Sequence, residues 1–114
     1  MCDIQGLFVA KRIKTIYNVE TKTIEEYVNN IQYEIVKITN TQYLTKQTNL
    51  ESGSIIQLMF FSSSGDNYFS SSDYGIDNMF YSKCGELVHN WSIPIDSENN
   101  ITNAHAILVR IIDI

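Results

Sequence analysis

The stretch Ala104-His105-Ala106-Ile107-Leu108-Val109-Arg110-Ile111-Ile112-Asp113-Ile114 carries the strongest strand signal in the 114-residue chain. It is rich in β-branched residues, which are enriched in β-strands. Arg110 alternates there with Leu108 and Ile112. A guanidinium among apolar neighbours needs an acidic partner, an escape to the strand edge or an anionic ligand. The stretch therefore predicts a core strand and marks Arg110 as a candidate binding residue.

Other segments, upstream of this one, also have strand character. Leu87 to Ile93 alternates between apolar and polar positions, and Ser54 to Ser62 is apolar on both faces, which is typical of a central strand. Pro94 ends the strand before it. Further strands are predicted over Tyr33–Thr39, over Asn78–Lys83, and as one or two strands over Ile4–Val19. The polar segments 39–53, 62–78 and 96–103 are predicted to be loops.

One short segment has the pattern of a helix. Thr23-Ile24-Glu25-Glu26 matches the capping box that begins many helices. Apolar residues then recur at helical spacing as far as Ile31. A helix near residues 23–31 and an antiparallel sheet of about five to seven strands predict an α+β fold. The alternative is a small all-β sandwich or barrel.

Composition and charge narrow the class of protein. Hydrophobic residues make up 44% and charged residues 18% of the chain, which is typical of a globular protein, and the length suits one domain over residues 1–114. No apolar run approaches the roughly 18 residues of a membrane span. Asp3 stands where a signal peptide would carry positive charge. We therefore expect a cytoplasmic protein without a membrane partner.

The charge balance argues against nucleic acid as a partner. The formal net charge is -5, and the only basic cluster is the run Lys11-Arg12-Ile13-Lys14. Nucleic-acid binding normally requires a longer basic stripe. The chain also has 17 Ile and 11 Asn but one Pro. That bias is typical of AT-rich coding sequences, common in phages and mobile elements, so the expected location is the host cytoplasm if the chain is viral.

Two sets of residues are candidates for binding. The segment 62–78 mixes Ser, Gly, Asn and Asp with the aromatic residues Tyr68, Phe69 and Tyr74, a composition typical of protein-binding loops. The second set combines an arginine with aromatic rings and an amide, which suits a nucleotide-like anion through phosphate pairing, stacking and base-edge hydrogen bonds. It consists of Phe80, Asn90, Trp91 and Arg110.

The sequence contains no catalytic or metal motif. Cys84 and His89 form one loose pair, and zinc sites usually have two closely spaced pairs of ligands. The glycines form no phosphate-binding cluster, and no nucleophile elbow is present. We predict no catalytic residue, no metal ligand and no cofactor. A thiol-dependent hydrolase built on Cys84 and a histidine stays as a minor alternative.

These observations favour a non-enzymatic binding protein, in first place a small protein–protein interaction or inhibitor module acting on a host factor. The alternative is an oligomeric protein that binds or sequesters a nucleotide-like anion. Self-association through the apolar C-terminal strand is part of that alternative.

Overall fold

A computed structural model describes residues 3–72, 75–83 and 86–112 and shows a β-rich protein. Eight antiparallel strands follow one another around a closed barrel, and the last strand pairs with the first. The all-β barrel alternative is confirmed, and the α+β prediction is wrong because the described residues form no helix. No helix in this part of the chain has the length and apolar character needed to cross a membrane. The strands are β1 Gly6–Asn18, β2 Ile24–Thr39, β3 Gln42–Asn49, β4 Ile55–Ser64, β5 Asn67–Ser72, β6 Gly75–Lys83, β7 Glu86–Ile93 and β8 Asn100–Ile112.

The barrel closes at β1, which pairs with β2 on one side and β8 on the other. The β1–β2 ladder runs from Gly6 opposite Ile35 to Tyr17 opposite Ile24. The pairing is incomplete along two of the strands: residues 24–30 of β2 pair with β1 alone, and β4 pairs with β5 only over residues 62–64. β1, β2 and β8 have 13, 16 and 13 residues, whereas β5 has 6. The long strands make the molecule elongated, with extents of 45 × 29 × 25 Å.

The predicted helix over residues 23–31 is the first half of β2. A spacing of four residues keeps two side chains on one face of a strand as well as on one face of a helix. Ile24 with Val28, and Tyr27 with Ile31, therefore satisfy both patterns. A helix of two to three turns is marginal by itself. Residues 24–31 pair instead along the length of β1, and this tertiary pairing outweighs the local capping signal.

All three predicted loops contain strand residues. β3 lies within 39–53, β5 and the start of β6 lie within 62–78, and β8 begins within 96–103. Their polar composition concealed the alternation, because Thr45 and Gln47 of β3 point inward and are buried. Ser54 to Ser62 was predicted to be a central strand because it is apolar on both faces, but only one face of β4 is covered: Phe61 is buried, whereas Phe60 beside it is 56% exposed. A strand in a barrel has one face toward the interior and one toward the outside.

Alternate residues of the strands fill the barrel interior. An interior of eight strands is wide enough to be filled by side chains or to hold one small ligand. Most of the core is aromatic or aliphatic, and the fully buried hydrophobic members from the strands are Phe8, Ile31, Tyr33, Ile35, Phe61, Met79, Leu87 and Leu108.

The two ends of the barrel differ. At the first end, where β1 begins and β8 ends, residues 3–5 lie across the opening and Ile4 is completely buried. The Arg110 guanidinium donates to the carbonyl oxygens of Asp3 and Gln5, and Arg110 Nη2 lies 2.7 Å from the Tyr81 hydroxyl oxygen. These contacts hold the N-terminal segment as a plug. The second end, where β1 ends and β8 begins, has no such segment among the described residues.

Candidate functional site

Five of the polar side chains that face the barrel interior come from five different strands. We call them the interior polar cluster: Arg12 of β1, Tyr33 of β2, Gln47 of β3, Asp77 of β6 and His89 of β7. The last four are less than 5% exposed. Arg12 is half-buried and follows Phe8 and Ala10 on the inward face of β1. Polar groups at this depth require hydrogen-bond partners.

Tyr33, His89 and Asp77 form one hydrogen-bonded chain. The Tyr33 hydroxyl oxygen lies 2.7 Å from His89 Nδ1, and His89 Nε2 lies 2.8 Å from Asp77 Oδ1. Burial raises the pKa of Tyr33 well above its usual range, against a smaller lowering by Arg12. The hydroxyl therefore keeps its proton and donates it to Nδ1, while Nε2–H donates to the carboxylate. Both nitrogens of His89 are thus engaged.

Gln47 lies directly opposite Tyr33 on the neighbouring strand. Its side chain is completely buried, and neither Nε2 nor Oε1 has a hydrogen-bond partner in the described part of the protein. An unsatisfied amide in a protein interior costs roughly 1–3 kcal/mol. Such groups are rare in native proteins and mark positions with a special role.

Arg12 is the cation of the cluster. Its Nε is buried and has no partner within residues 3–72, 75–83 and 86–112. The guanidinium lies close enough to Tyr33 to act on the pKa of that hydroxyl. A guanidinium offers five N–H donors and binds planar anions in a bidentate manner. Arg12 therefore brings an unsatisfied donor and a positive charge into the interior.

The inner wall of β8 is flat beside this cation. Ala106 lies between Arg12 and His89 in the register, and Ala104 lies between Lys14 and Trp91. Alanine extends one carbon from the backbone, so the longer side chains beside Ala104 and Ala106 are those of β1 and β7. Lys14 and Trp91 are half-buried, which places them at the mouth of the second end.

The binding residues predicted from the sequence do not meet at one place. Tyr68 points inward near the first end, with its ring 5.3 Å from Tyr43 in a T-shaped contact. Arg110 lies at the same end and Trp91 at the opposite one. By strand alternation Phe69, Phe80 and Asn90 point outward, and Asn90 Oδ1 lies 2.7 Å from His105 Nδ1. Tyr74 lies outside the described residues.

The metal and thiol alternatives gain no support from this geometry. Cys2 and Cys84 lie outside the described residues, and His89 is already engaged by Tyr33 and Asp77. Within the segments that the structure describes, no three His, Cys, Asp or Glu side chains are grouped as metal ligands would be.

Sequence reasoning missed most of the interior polar cluster. It assigned Arg12 to a surface basic run and Asp77 to a loop. The available signal was the alternation Phe8, Ala10, Arg12, which places the guanidinium on the apolar face of β1.

Comparison with known proteins adds no family: no protein-family model and no curated protein sequence matches the chain.

Proposed function

We propose that this protein is a non-enzymatic binding protein that takes a small anionic molecule into the barrel through the second end. The observation that carries the proposal is the pair of unsatisfied groups in the interior, the Gln47 amide and Arg12 Nε. Ligand sites are concave and mostly apolar, with a few polar groups that fix orientation. The interior polar cluster within an otherwise apolar core matches that description.

The charges of the interior favour an anion. Asp77 is the one acidic group of the interior polar cluster, and its Oδ1 is held by His89. Arg12 has no carboxylate partner among the described residues. Lys14 adds a second positive charge at the mouth, on the same face of β1. Glu25 of β2 also lies at this end, opposite Ile16 of β1.

The hydrogen-bond pattern favours binding over catalysis. A general base must lie within reach of the proton that it takes from the substrate. His89 is buried and its hydrogen bonds join it to Tyr33 and Asp77, and the raised pKa of Tyr33 keeps that hydroxyl neutral and weakly nucleophilic. The Tyr33–His89–Asp77 chain therefore serves to hold donors and acceptors in fixed positions.

The proposal is tested first by native mass spectrometry of the purified protein, before and after denaturation. A bound mass that disappears on denaturation identifies a ligand carried from the host. Thermal-shift measurements with phosphate, acetate, benzoate and nucleoside monophosphates then test anions added from outside. A ligand that binds the folded state at 100 times its Kd stabilises it by about 2.7 kcal/mol.

Two matched variants assign the site. Arg12→Met removes the interior cation, whereas Lys11→Met removes an exposed cation from the preceding residue of the same strand. We expect Arg12→Met to abolish the thermal shift and Lys11→Met to leave it. Equal shifts in both variants would place the anion elsewhere, and no bound mass and no shift with any anion would reject the proposal.

The protein–protein interaction module stays as a second candidate because of the outer faces of β4 and β5. Leu58, Phe60 and Phe69 are 60%, 56% and 44% exposed. Exposed apolar residues on neighbouring strands are typical of protein interfaces. Replacing Phe60 and Phe69 with serine is expected to abolish capture of a host protein under this hypothesis. The same double variant would leave binding of an interior anion unchanged.

A further inference from the structure

The chemistry of the Gln47 side chain indicates which ligand group would satisfy it. A carboxamide presents an N–H donor and a C=O acceptor side by side on one edge. Both are unpaired and buried. The group that satisfies both at once is another amide edge with an acceptor next to a donor, as in a lactam. A carboxylate would accept a hydrogen bond from the Gln47 N–H but would offer no donor to its C=O. An apolar ligand would satisfy neither group.

Other side chains that face the barrel interior restrict the ligand further. Arg12 and Lys14 supply positive charge toward the second end, and Trp91 supplies an indole ring on the facing strand, opposite Ala104. Aromatic side chains stack on nucleobases, and arginine pairs with phosphate in a bidentate manner. The inward-facing side chains of the barrel therefore include a partner for a lactam edge, a partner for a phosphate and a stacking surface.

We infer that the ligand is an anion that carries a lactam edge, the class to which uridine nucleotides belong. This inference rests on the proposed function and specifies the ligand of the same site. In the assignment, Gln47 Oε1 accepts from the lactam N–H and Nε2 donates to the adjacent carbonyl. Arg12 pairs with the phosphate, and Trp91 stacks on the ring.

The test is isothermal titration of the whole chain with uridine 5′-monophosphate and with its N3-methyl derivative. The methyl group removes the lactam donor and leaves the phosphate unchanged. A buried acceptor left without its donor weakens binding about 5- to 150-fold. We expect a loss in that range for the methylated nucleotide, and weaker binding of uridine and of inorganic phosphate than of the intact nucleotide.

Two variants test whether Gln47 causes the preference for the unmethylated nucleotide. Gln47→Leu is expected to remove the preference for the unmethylated nucleotide, and Gln32→Leu, a half-buried glutamine on the outer face of β2, is expected to keep it. Circular dichroism confirms that both variants are folded before titration.

The outcomes separate this inference from the proposed function. Equal, Arg12-dependent binding of both nucleotides would overturn the lactam assignment and leave the anion site standing. Binding of acetate or benzoate but of neither nucleotide would do the same. A preference for the unmethylated nucleotide that survives Gln47→Leu would also overturn it. Failure of all anions to bind would overturn both proposals.

Discussion

Replacing Gln47 with leucine is expected to stabilise the ligand-free protein. The native side chain is fully buried, and its amide nitrogen and oxygen have no partner in the described residues. Leucine has a similar size and no polar atoms, so the substitution removes two unsatisfied groups and leaves the interior filled. A core substitution that stabilises is unusual, because most substitutions of buried residues destabilise by 0.5–3 kcal/mol, to order of magnitude.

The magnitude follows from the cost of burying an amide. Protein mutational data put that cost at about 1–3 kcal/mol when no hydrogen bond compensates. The unfolding entropy of a chain this long is about 0.24 kcal/mol/K, from roughly 2.1 cal/mol/K per residue. A gain of 1 kcal/mol therefore raises Tm by about 4 °C, and the expected increase is about 4–12 °C.

Urea unfolding measures the effect directly. Trp91 is the single tryptophan of the chain and lies opposite Asp77 and Ala104, so its fluorescence reports on the second end of the barrel. The midpoint is expected to rise without a change in the m-value, which indicates a change in stability and not in denatured-state compactness. Gln32→Leu, on the outer face of β2, is the matched control and should change stability by no more than about 0.5 kcal/mol.

The opposite result would refute the reasoning. If Gln47→Leu lowers the free energy of unfolding by more than about 1 kcal/mol, the amide makes hydrogen bonds in the folded protein that leucine cannot replace. Equal effects of Gln47→Leu and Gln32→Leu would show that the buried amide carries no penalty. Either result would remove the argument that the Gln47 amide is left unpaired in order to bind a ligand.

Three further predictions concern other parts of the barrel. Because burial raises the pKa of Tyr33, the unfolded chain loses this proton first as pH rises above about 10, so stability falls there by about 1.4 kcal/mol per pH unit from this group. Tyr33→Phe should remove that part of the slope in urea unfolding at pH 9 to 11, and parallel slopes would contradict it. Arg110→Met should lower stability by about 2–4 kcal/mol and speed hydrogen exchange in residues 3–5, because the guanidinium holds carbonyl oxygens of that segment. Unchanged exchange would show that the position of the plug does not depend on Arg110. Gly6→Ala should lower stability by about 1–3 kcal/mol, since φ is +149° and a methyl group would lie 2.9 Å from a backbone oxygen of β8. Gly53→Ala, at φ +74° in open space, is the control and should lower the urea midpoint of unfolding less.

The sequence predicted the strands whose alternation is apolar and missed those whose inward residues are polar. β7 and β8 were recognised from patterns such as Leu87 to Ile93. β3 was not, because its inward residues Thr45 and Gln47 look like loop residues until the barrel closes around them. The segment 24–31 was assigned to a helix because spacing of four fits both periods, and only the partner strand β1 decides between them. Long-range pairing of this kind leaves no local signal.

The same limit applied to the candidate site. Arg110 was singled out because its apolar neighbours are adjacent in sequence. Arg12 was not, because Lys11 and Lys14 make the segment look like a charged surface run. Which residues of a strand point inward depends on the face that closure buries. His89 and Asp77 come together through the β6–β7 hairpin, so their hydrogen bond could not be anticipated from spacing.

The difference between the two arginines decides how a ligand enters. Arg110 holds the N-terminal segment across the first end and lies 4.7 Å from the Phe8 ring centroid, so its donors serve the closure of the barrel. Arg12 lies on the same strand as Phe8, four residues nearer the second end, with Nε unsatisfied. An anion that enters at the second end would reach Lys14 and then Arg12 along the inward face of β1. Entry at the first end would require removal of the buried Ile4 and of the contacts made by Arg110. Ligand affinity should therefore depend on Arg12 and be insensitive to Arg110→Met wherever that variant is folded, and a large loss of affinity in Arg110→Met alone would reverse the assigned direction of entry.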